Sequence, residues 1–271
     1  MALRSPIRWI GGKGKMTKKI LPFFPRHKRY VEAFGGGASL LLAKRPVRFE
    51  VYNDLNTNLV QLFRDLQRSG QLVFTAVALT PFSRREQRHA REHLDRSGAD
   101  VLVAYRQSFG GKISGYGIDR SGSTVRGYWS NVNNLRRLSR RLENVTILSQ
   151  DGLDVIRQYD SPETLHYLDP PYVPDSWTNE DVYSGHLMTR EQHQELVELL
   201  LTVKGMVVLS GYPNDVYAPL TEAWTTHEFS VSCSVAARTQ SHGLKGSGNV
   251  KKQQPRTECL WLNPQATRNM I

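Results

Sequence analysis

Cysteine is nearly absent from this chain of 271 residues: Cys233 and Cys259 are the only two. Neither sits in a CxxC or a Cys/His spacing suited to zinc, so a disulfide framework and a structural zinc site are both excluded as organising devices. The two thiols read instead as small buried hydrophobes of late strands. Long apolar runs are also missing. No window approaches the roughly 18 to 20 uninterrupted apolar residues of a membrane span, and Met1-Ala2-Leu3-Arg4-Ser5-Pro6 lacks the apolar core of a signal peptide. A cytoplasmic protein with no membrane partner is therefore expected. The phosphate-loop pattern G-x-x-x-x-G-K-[ST] is absent too, because Lys13 follows Gly11-Gly12 directly and precedes Gly14. Acidic charge is in short supply, with 25 Asp and Glu against 36 Lys and Arg, a surplus of 11. Seven of those excess charges fall between Thr80 and Val145, where 13 basic residues face 6 acidic ones. Such clustering favours a polyanionic partner over generic solubility.

What is present centres on Leu165-His166-Tyr167-Leu168-Asp169-Pro170-Pro171-Tyr172-Val173. An apolar run climbs to a carboxylate, and two prolines forbid the strand to continue. The end of that strand offers the Asp169 carboxylate, the Pro170 carbonyl and the Tyr172 ring within a short rigid loop. Two acceptors and a flat face suit a planar exocyclic amine, whose hydrogens go to Asp169 and Pro170 while its ring stacks on Tyr172. A bare Asp-Pro-Pro-Tyr is equally a Pro-terminated strand with a turn Asp, so the remainder of the chain has to decide.

Arg29 to Phe34 reads as a short strand, Gly35-Gly36-Gly37-Ala38-Ser39 as a loop, and Leu40-Leu41-Leu42 as a helix start. That order is the first unit of a doubly wound α/β sheet, with loop amides facing a ligand. A second strand, Arg48 to Tyr52, ends at Asn53-Asp54. Asp54 is placed for ribose hydroxyls, for capping a helix over Leu55 to Leu66, or for both. Upstream, Trp9 and Gly11-Gly12-Lys13 offer a cover, a close backbone approach and a cation. The alternation resumes at Val145 to Leu148, which ends at Gln150-Asp151 before a helix from Leu153. Further strands are expected at Met206 to Ser210, Trp224 to Val231 and Glu258 to Leu262, with helices at Asp215 to Leu220 and from Thr189 to Leu201, the latter capped by Thr189 and Gln192.

Between about Gln71 and Asn144 the strand-helix alternation stops. An Arg-rich helix over Ser83 to Leu94, a glycine-punctuated patch from Ser108 to Gly117 and a basic helix over Asn134 to Leu142 carry interleaved aromatics. Arg84, Arg88, Lys112, Arg126, Arg136 and Arg140 are candidate DNA contacts there, against the simpler reading of solvated helix faces. Lys251 and Lys252 join them from a basic Gly/Ser-rich loop over Ala237 to Pro255, and Pro174 to Gly185 is a polar loop long enough to wall a base pocket. The domain expectation is a catalytic α/β domain from residues 1–68 and 143–271 with a mainly helical insert at 69–142.

Taken together, Arg8-Trp9-Ile10-Gly11-Gly12-Lys13, Glu32-Ala33-Phe34-Gly35-Gly36-Gly37-Ala38, Asn53-Asp54 and Asp169-Pro170-Pro171-Tyr172 resemble the Dam-type, or D12-class, DNA adenine-N6 methyltransferases. The resemblance implies a Rossmann-like methyltransferase sheet, S-adenosylmethionine as methyl donor, double-stranded DNA as partner, a flipped adenine as target and a monomer in solution. Residue by residue it implies that Trp9 and Lys13 hold the methionine end of the cofactor, with Lys13 opposite its carboxylate. It puts the turn of Glu32, Phe34 and Gly36 beneath the cofactor, Asp54 on the ribose, Asp151 by the cofactor's adenine, and Asp169, Pro170 and Tyr172 around the target, with Asp169 also close to the cofactor. No metal is implied. The chain departs from the family's F-x-G-x-G turn at Ala38, which stands at the last glycine. Rival readings are a cytosine-N4 or RNA amino-methyltransferase, a silent DNA-binding protein of the same fold, and a nicotinamide oxidoreductase, which would leave the Asp-Pro-Pro-Tyr loop unexplained.

Overall fold

The computed structural model describes residues 3–118, 121–173, 188–231 and 256–270. Among them, β1 (Arg29–Glu32), β2 (Phe49–Asn53), β3 (Val145–Leu148), β4 (Thr164–Leu168), β5 (Met206–Gly211), β6 (Thr225–Val231) and β7 (Arg256–Leu262) form one sheet in the order β3-β2-β1-β4-β5-β7-β6. The first five strands run parallel, whereas β7 pairs antiparallel with both β5 and β6. Strand order reverses between β1 and β4, so the crevice at their carboxyl ends is where a doubly wound sheet takes its ligand.

Alternation along each strand explains why both sheet faces are covered. Tyr30, Tyr52, Leu165, Tyr167, Met206, Val208, Leu260 and Leu262 point into one apolar core. Val31, Val51, Leu168, Val207, Leu209, Cys259 and Trp261, their neighbours in sequence, point into the other. The first core is closed by α1 (Thr17–Ile20), α2 (Ser39–Ala43), α3 (Thr57–Leu79), α4 (Arg84–Glu92), α5 (Gly98–Arg106), α6 (Ser123–Val132) and α7 (Leu135–Leu142). The second is closed by α8 (Gly152–Tyr159), α9 (Arg190–Leu200) and α10 (Ala218–Ala223). Helices α4 to α7 all lie between β2 and β3 in sequence, yet Val101, Leu102, Leu135, Leu138 and Leu142 share a core with β1, β2 and β4. The helical segment is thus seated on the sheet.

A buried ion cluster fastens that seat. Glu50 on β2, 2% exposed, lies 2.5 Å from Lys44 Nζ and receives both guanidinium arms of Arg141 on α7, at 2.6 and 3.0 Å. Arg141 Nη2 also donates to the Leu41 carbonyl at 2.7 Å, so one carboxylate ties β2, the end of α2 and α7 together.

Several sequence expectations shift. The helix foreseen over Leu55 to Leu66 starts at Thr57 and continues to Leu79 through a non-helical Ser69, beside which Gly70 lets Ser139 of α7 approach. That helix crosses the expected 68/69 boundary. Its N-cap is Asn56, whose side chain accepts from the amides of Asn58 and Leu59, and not Asp54. The helix expected at Asp215 to Leu220 begins later, at Ala218, with Pro219 in its first turn. Helices α5 and α6 were not foreseen. The capping box of α9, with Thr189 and Gln192 exchanging bonds, is as expected. No helix among the described residues is long and apolar enough to cross a membrane. Cys259 is buried as expected, while Cys233 lies outside the described residues, as do all of residues 174–185 and 237–255.

Replacing Glu50 strands two buried cations, so Glu50→Ala is expected to cost about 3–5 kcal/mol of folding stability in urea titration. A loss under about 1 kcal/mol would show that the cluster is not what seats α7.

Candidate active site

The carboxyl ends of β1, β2 and β4 open into one cleft with about 910 Å³ of empty space counted out to solvent. Trp9 to Lys13 form one wall, Glu32 to Gly37 the floor, Asp54 to Asn56 the far side, and Asp169 to Tyr172 the near lip. Four segments singled out separately in the sequence therefore meet at the topological switch point.

The floor is a glycine turn held open by force of geometry. Gly36 has φ +47°, and a Cβ there would stand 2.7 Å from Trp9 Nε1, so both backbone and space demand glycine. Its amide donates to Asp54 Oδ2 at 2.7 Å, and its carbonyl accepts from Tyr52 OH at 2.8 Å. Asp54 Oδ1 accepts from the Asn56 amide at 2.8 Å. The acid ending β2 thus bridges to the turn that ends β1. Trp9 is half-buried and lies 5.7 Å from the Tyr105 ring, closing the cleft from above. Glu32 is buried beneath, accepting from Tyr30 OH at 2.8 Å and the Leu41 amide at 3.0 Å, and burial pushes its carboxyl up to about 8.

Asp151 behaves differently. It is exposed, caps α8 by accepting from the Leu153 amide at 2.8 Å, and borders a neighbouring hollow instead of the main cleft. Phe34 stands between the two hollows, its ring pressed on Gly152, where a Cβ would come within 2.6 Å.

At the lip, the side chains of Asp169 and Tyr172 converge on Lys13. Lys13 Nζ lies 2.5 Å from Asp169 Oδ1, 3.3 Å from Tyr172 OH and 3.3 Å from the Gly11 carbonyl, with the chain's ammonium only 4% exposed. The expected partner of Lys13 was the carboxylate of a cofactor; in this structure its nearest carboxylate is Asp169. A second, Glu258 on β7, stands 3.2 Å away. Burial opposes the charge on Lys13, but Asp169 and then Glu258 more than offset it, and its pKa is raised. Ser210, at the end of β5, donates to the same Asp169 Oδ1 at 3.0 Å and pairs with Tyr167 OH at 3.2 Å. Tyr172 stacks on Tyr212 with centroids 4.2 Å apart and planes 18° from parallel, so one face of its ring is already covered.

Glu258, Ser210 and Tyr212 are the site residues that sequence reasoning missed. Ser210 and Tyr212 carry no signal without the strand order. Glu258 carried a faint one, a lone acid opening the apolar run Cys259-Leu260-Trp261-Leu262.

Of the candidate DNA contacts, Arg84, Arg88, Lys112, Arg126, Arg136 and Arg140 are all exposed. Arg84 lies over the Tyr116 ring at 5.9 Å and Arg136 over Phe74 at 4.4 Å. Arg136 and Arg140 share one stripe of α7, opposite buried Leu135, Leu138 and Leu142. Lys251 and Lys252 lie outside the described residues. No cluster of His, Cys, Asp and Glu among the described residues could hold a metal ion.

The family model of the D12 class N6 adenine-specific DNA methyltransferases matches residues 9–231 of this sequence. The chain belongs to that family. Its sheet is accordingly a Rossmann-like S-adenosylmethionine-dependent methyltransferase sheet. Among curated proteins it is 28% identical over 108 residues to a modification methylase, StsI, of Streptococcus sanguinis, covering 40% of this chain and 15% of that one. It is 24% identical over 237 residues to a DNA N-6-adenine-methyltransferase of Escherichia phage P1, covering 78% and 30% of the two chains. A DNA adenine methylase of Haemophilus influenzae is 24% identical over 217 residues, covering 73% of this chain and 74% of its own. The chain thus spans well under half the length of the first two relatives.

Family membership makes the departure at Ala38 informative. Ala38 has φ +53° and ψ +35°, left-handed, at the position where the resemblance leads one to expect a glycine. A Cβ in that region costs roughly 1–2 kcal/mol, partly offset by the roughly 0.5–1 kcal/mol entropy penalty of glycine. Ala38→Gly is expected to stabilise the fold by up to about 1 kcal/mol, whereas Gly36→Ala should destabilise it; urea unfolding of the pair reads both signs. Glu32 supplies a pH test. Its native pKa of about 8 exceeds the ordinary 4.5 of a glutamate, so the native state holds a proton that the unfolded state releases. Its contribution to stability is present below about pH 4.5 and is lost as pH rises through about 8. Glu32→Gln should flatten that decline; an unchanged slope would mean the carboxyl is ionised in the folded protein.

Proposed function

We propose that this protein transfers a methyl group from S-adenosylmethionine to N6 of an adenine flipped out of double-stranded DNA. The observation that carries the reading is the meeting of the Asp169-Pro170-Pro171-Tyr172 lip with the Gly36 cradle in one cleft. The cradle fits the cofactor on its own geometry: a glycine whose Cβ position is filled by Trp9, a carboxylate at Asp54 on the far side, and room for a nucleoside joined to an amino acid. Trp9, Glu32, Phe34, Gly36 and Asp54 would hold it, Asp151 from the edge of the adjoining hollow, and Lys13 from a position already shared with Asp169. When bound, the cofactor supplies an activated methyl group on a sulfonium.

The chain's own task is to make a poor nucleophile attack in line. The N6 lone pair of adenine is delocalised into the ring until the amine is pushed towards tetrahedral geometry. Asp169 and the Pro170 carbonyl supply that push by accepting the two amino hydrogens, and the carboxylate stabilises the positive charge that develops on nitrogen. Tyr172 stacks the base on the ring face away from Tyr212 and offsets part of an unstacking cost of a few kcal/mol. The helical segment at 69–142, with Arg84, Arg88, Lys112, Arg126, Arg136 and Arg140 exposed, would bind the phosphates, joined by Lys251 and Lys252. The enzyme would act as a monomer in the cytoplasm.

Transfer of labelled methyl from S-adenosylmethionine to unmethylated genomic DNA, followed by nucleoside analysis, is expected to yield N6-methyladenine. Asp169→Ala should abolish transfer while DNA affinity stays within a few-fold. N4-methylcytosine as product, or near-normal turnover in the variant, would overturn the reading.

A further inference from the structure

Glu258 is a buried carboxylate to which none of the roles above gives a task. It stands on β7, 2% exposed, brought to the lip because β7 runs antiparallel beside β5. Its Oε1 is 3.2 Å from Lys13 Nζ, and its Oε2 accepts from Tyr172 OH at 3.4 Å. Burial raises its pKa, against the downward pull of Lys13.

We propose that Glu258 is a positioning residue for methyl transfer: it shares Lys13 with Asp169 and tethers Tyr172, leaving the Asp169 carboxylate able to accept the amino group of the target base. The proposal rests on the roles given above to Asp169 and Tyr172. If Asp169 were the only carboxylate beside Lys13, a buried pair at 2.5 Å would commit its charge to the ammonium. A second carboxylate on the same ammonium divides that attraction. Two carboxylates and one ammonium also leave one excess negative charge at the lip, the sign that stabilises a cation developing on the amine nitrogen. The tether matters separately. Tyr172 is stacked on Tyr212 along one face and held at its hydroxyl by Glu258 and Lys13, so its ring is oriented before a base arrives.

A purely structural Glu258 would only neutralise a buried lysine. The two roles separate in Glu258→Gln, which keeps the shape and removes the charge, compared with Glu258→Asp, which keeps the charge. With Glu258→Gln the expected result is a fall in single-turnover methyl transfer on the order of 10- to 100-fold, below the roughly 100- to 1000-fold cost of deleting a direct transition-state donor. DNA affinity and KM for DNA should stay within about threefold, since the base is still bound before the step that needs Asp169. Glu258→Asp should recover most of the lost rate, and combining Glu258→Gln with Tyr172→Phe should cost less than the sum of the two. Wild-type rates in Glu258→Gln, a loss matched by the fraction of unfolded protein in a thermal melt, or a rise in KM with kcat unchanged would overturn the proposal. Asp169→Ala run alongside keeps the readings apart. An inactive Asp169→Ala beside an unaffected Glu258→Gln defeats this inference alone, whereas an active Asp169→Ala defeats the functional assignment beneath it.

Discussion

Everything at the candidate site depends on one buried ammonium. Lys13 comes from a short N-terminal segment with little regular structure, yet its Nζ is almost fully removed from water. An ammonium so placed is costly unless it is paired, and it is paired across 156 residues with Asp169, and with Glu258 on β7, two strands from β4 in the sheet. The pairing fixes where the N-terminal arm lies, and with it Trp9 above the glycine turn. It also fixes the Asp-Pro-Pro-Tyr lip, because Ser210 and Lys13 both donate to the same Asp169 oxygen. A single desolvated charge therefore assembles the cover of the cleft and its reactive edge together.

The floor of the cleft is built by the opposite means, from backbone conformation instead of charge. Gly36 and Ala38 are both left-handed within a three-residue span, and the strain is held by the Gly36 amide on Asp54 and by Tyr52 on the Gly36 carbonyl. Both anchors come from the end of β2, next in the sheet to β1. Adjacent parallel strands thus support one another's terminal loops, which is why a doubly wound sheet can present a rigid cradle on what are formally loops.

Most of this was legible in the sequence because the parallel strands are covered on both faces and read as apolar runs, with chemistry-bearing residues at their ends. Asp54, Asp169 and Gly36 stand out in the sequence that way, whereas Trp9 stands out only through the Gly11-Gly12-Lys13 segment beside it; the structure brings all four to one cleft. What escaped depended on strand order or on a misleading period. Val101-Leu102-Val103-Ala104-Tyr105 is apolar without a 3.6-residue rhythm, since α5 is buried nearly all round, and so gave no helix signal. The N-cap of α3 went to Asn56 because Asp54 was already engaged by the glycine turn, a competition that no local pattern records. Glu258 reaches the lip only because β7 inserts between β5 and β6, against sequence order.

The basic surplus of the middle segment divides along the same lines. Arg141 is spent on Glu50, and Arg106, buried with its pKa drawn down to about 10 by burial and by Arg8, donates to the Gly127 carbonyl at 2.6 Å. Arg141 holds α7 to the sheet and Arg106 ties α5 to α6, so both guanidinium groups are turned inward. Arg136 and Arg140, on the stripe of α7 opposite its leucines, sit five residues and one residue before internally paired Arg141 on the same helix. One helix therefore carries an inward arginine that anchors it to β2 and outward arginines free of that anchor. The anchor determines the direction in which the outward ones project. Charge composition alone sums the two kinds, but only the second contributes to the field a polyanion would meet, and its orientation is set by the first.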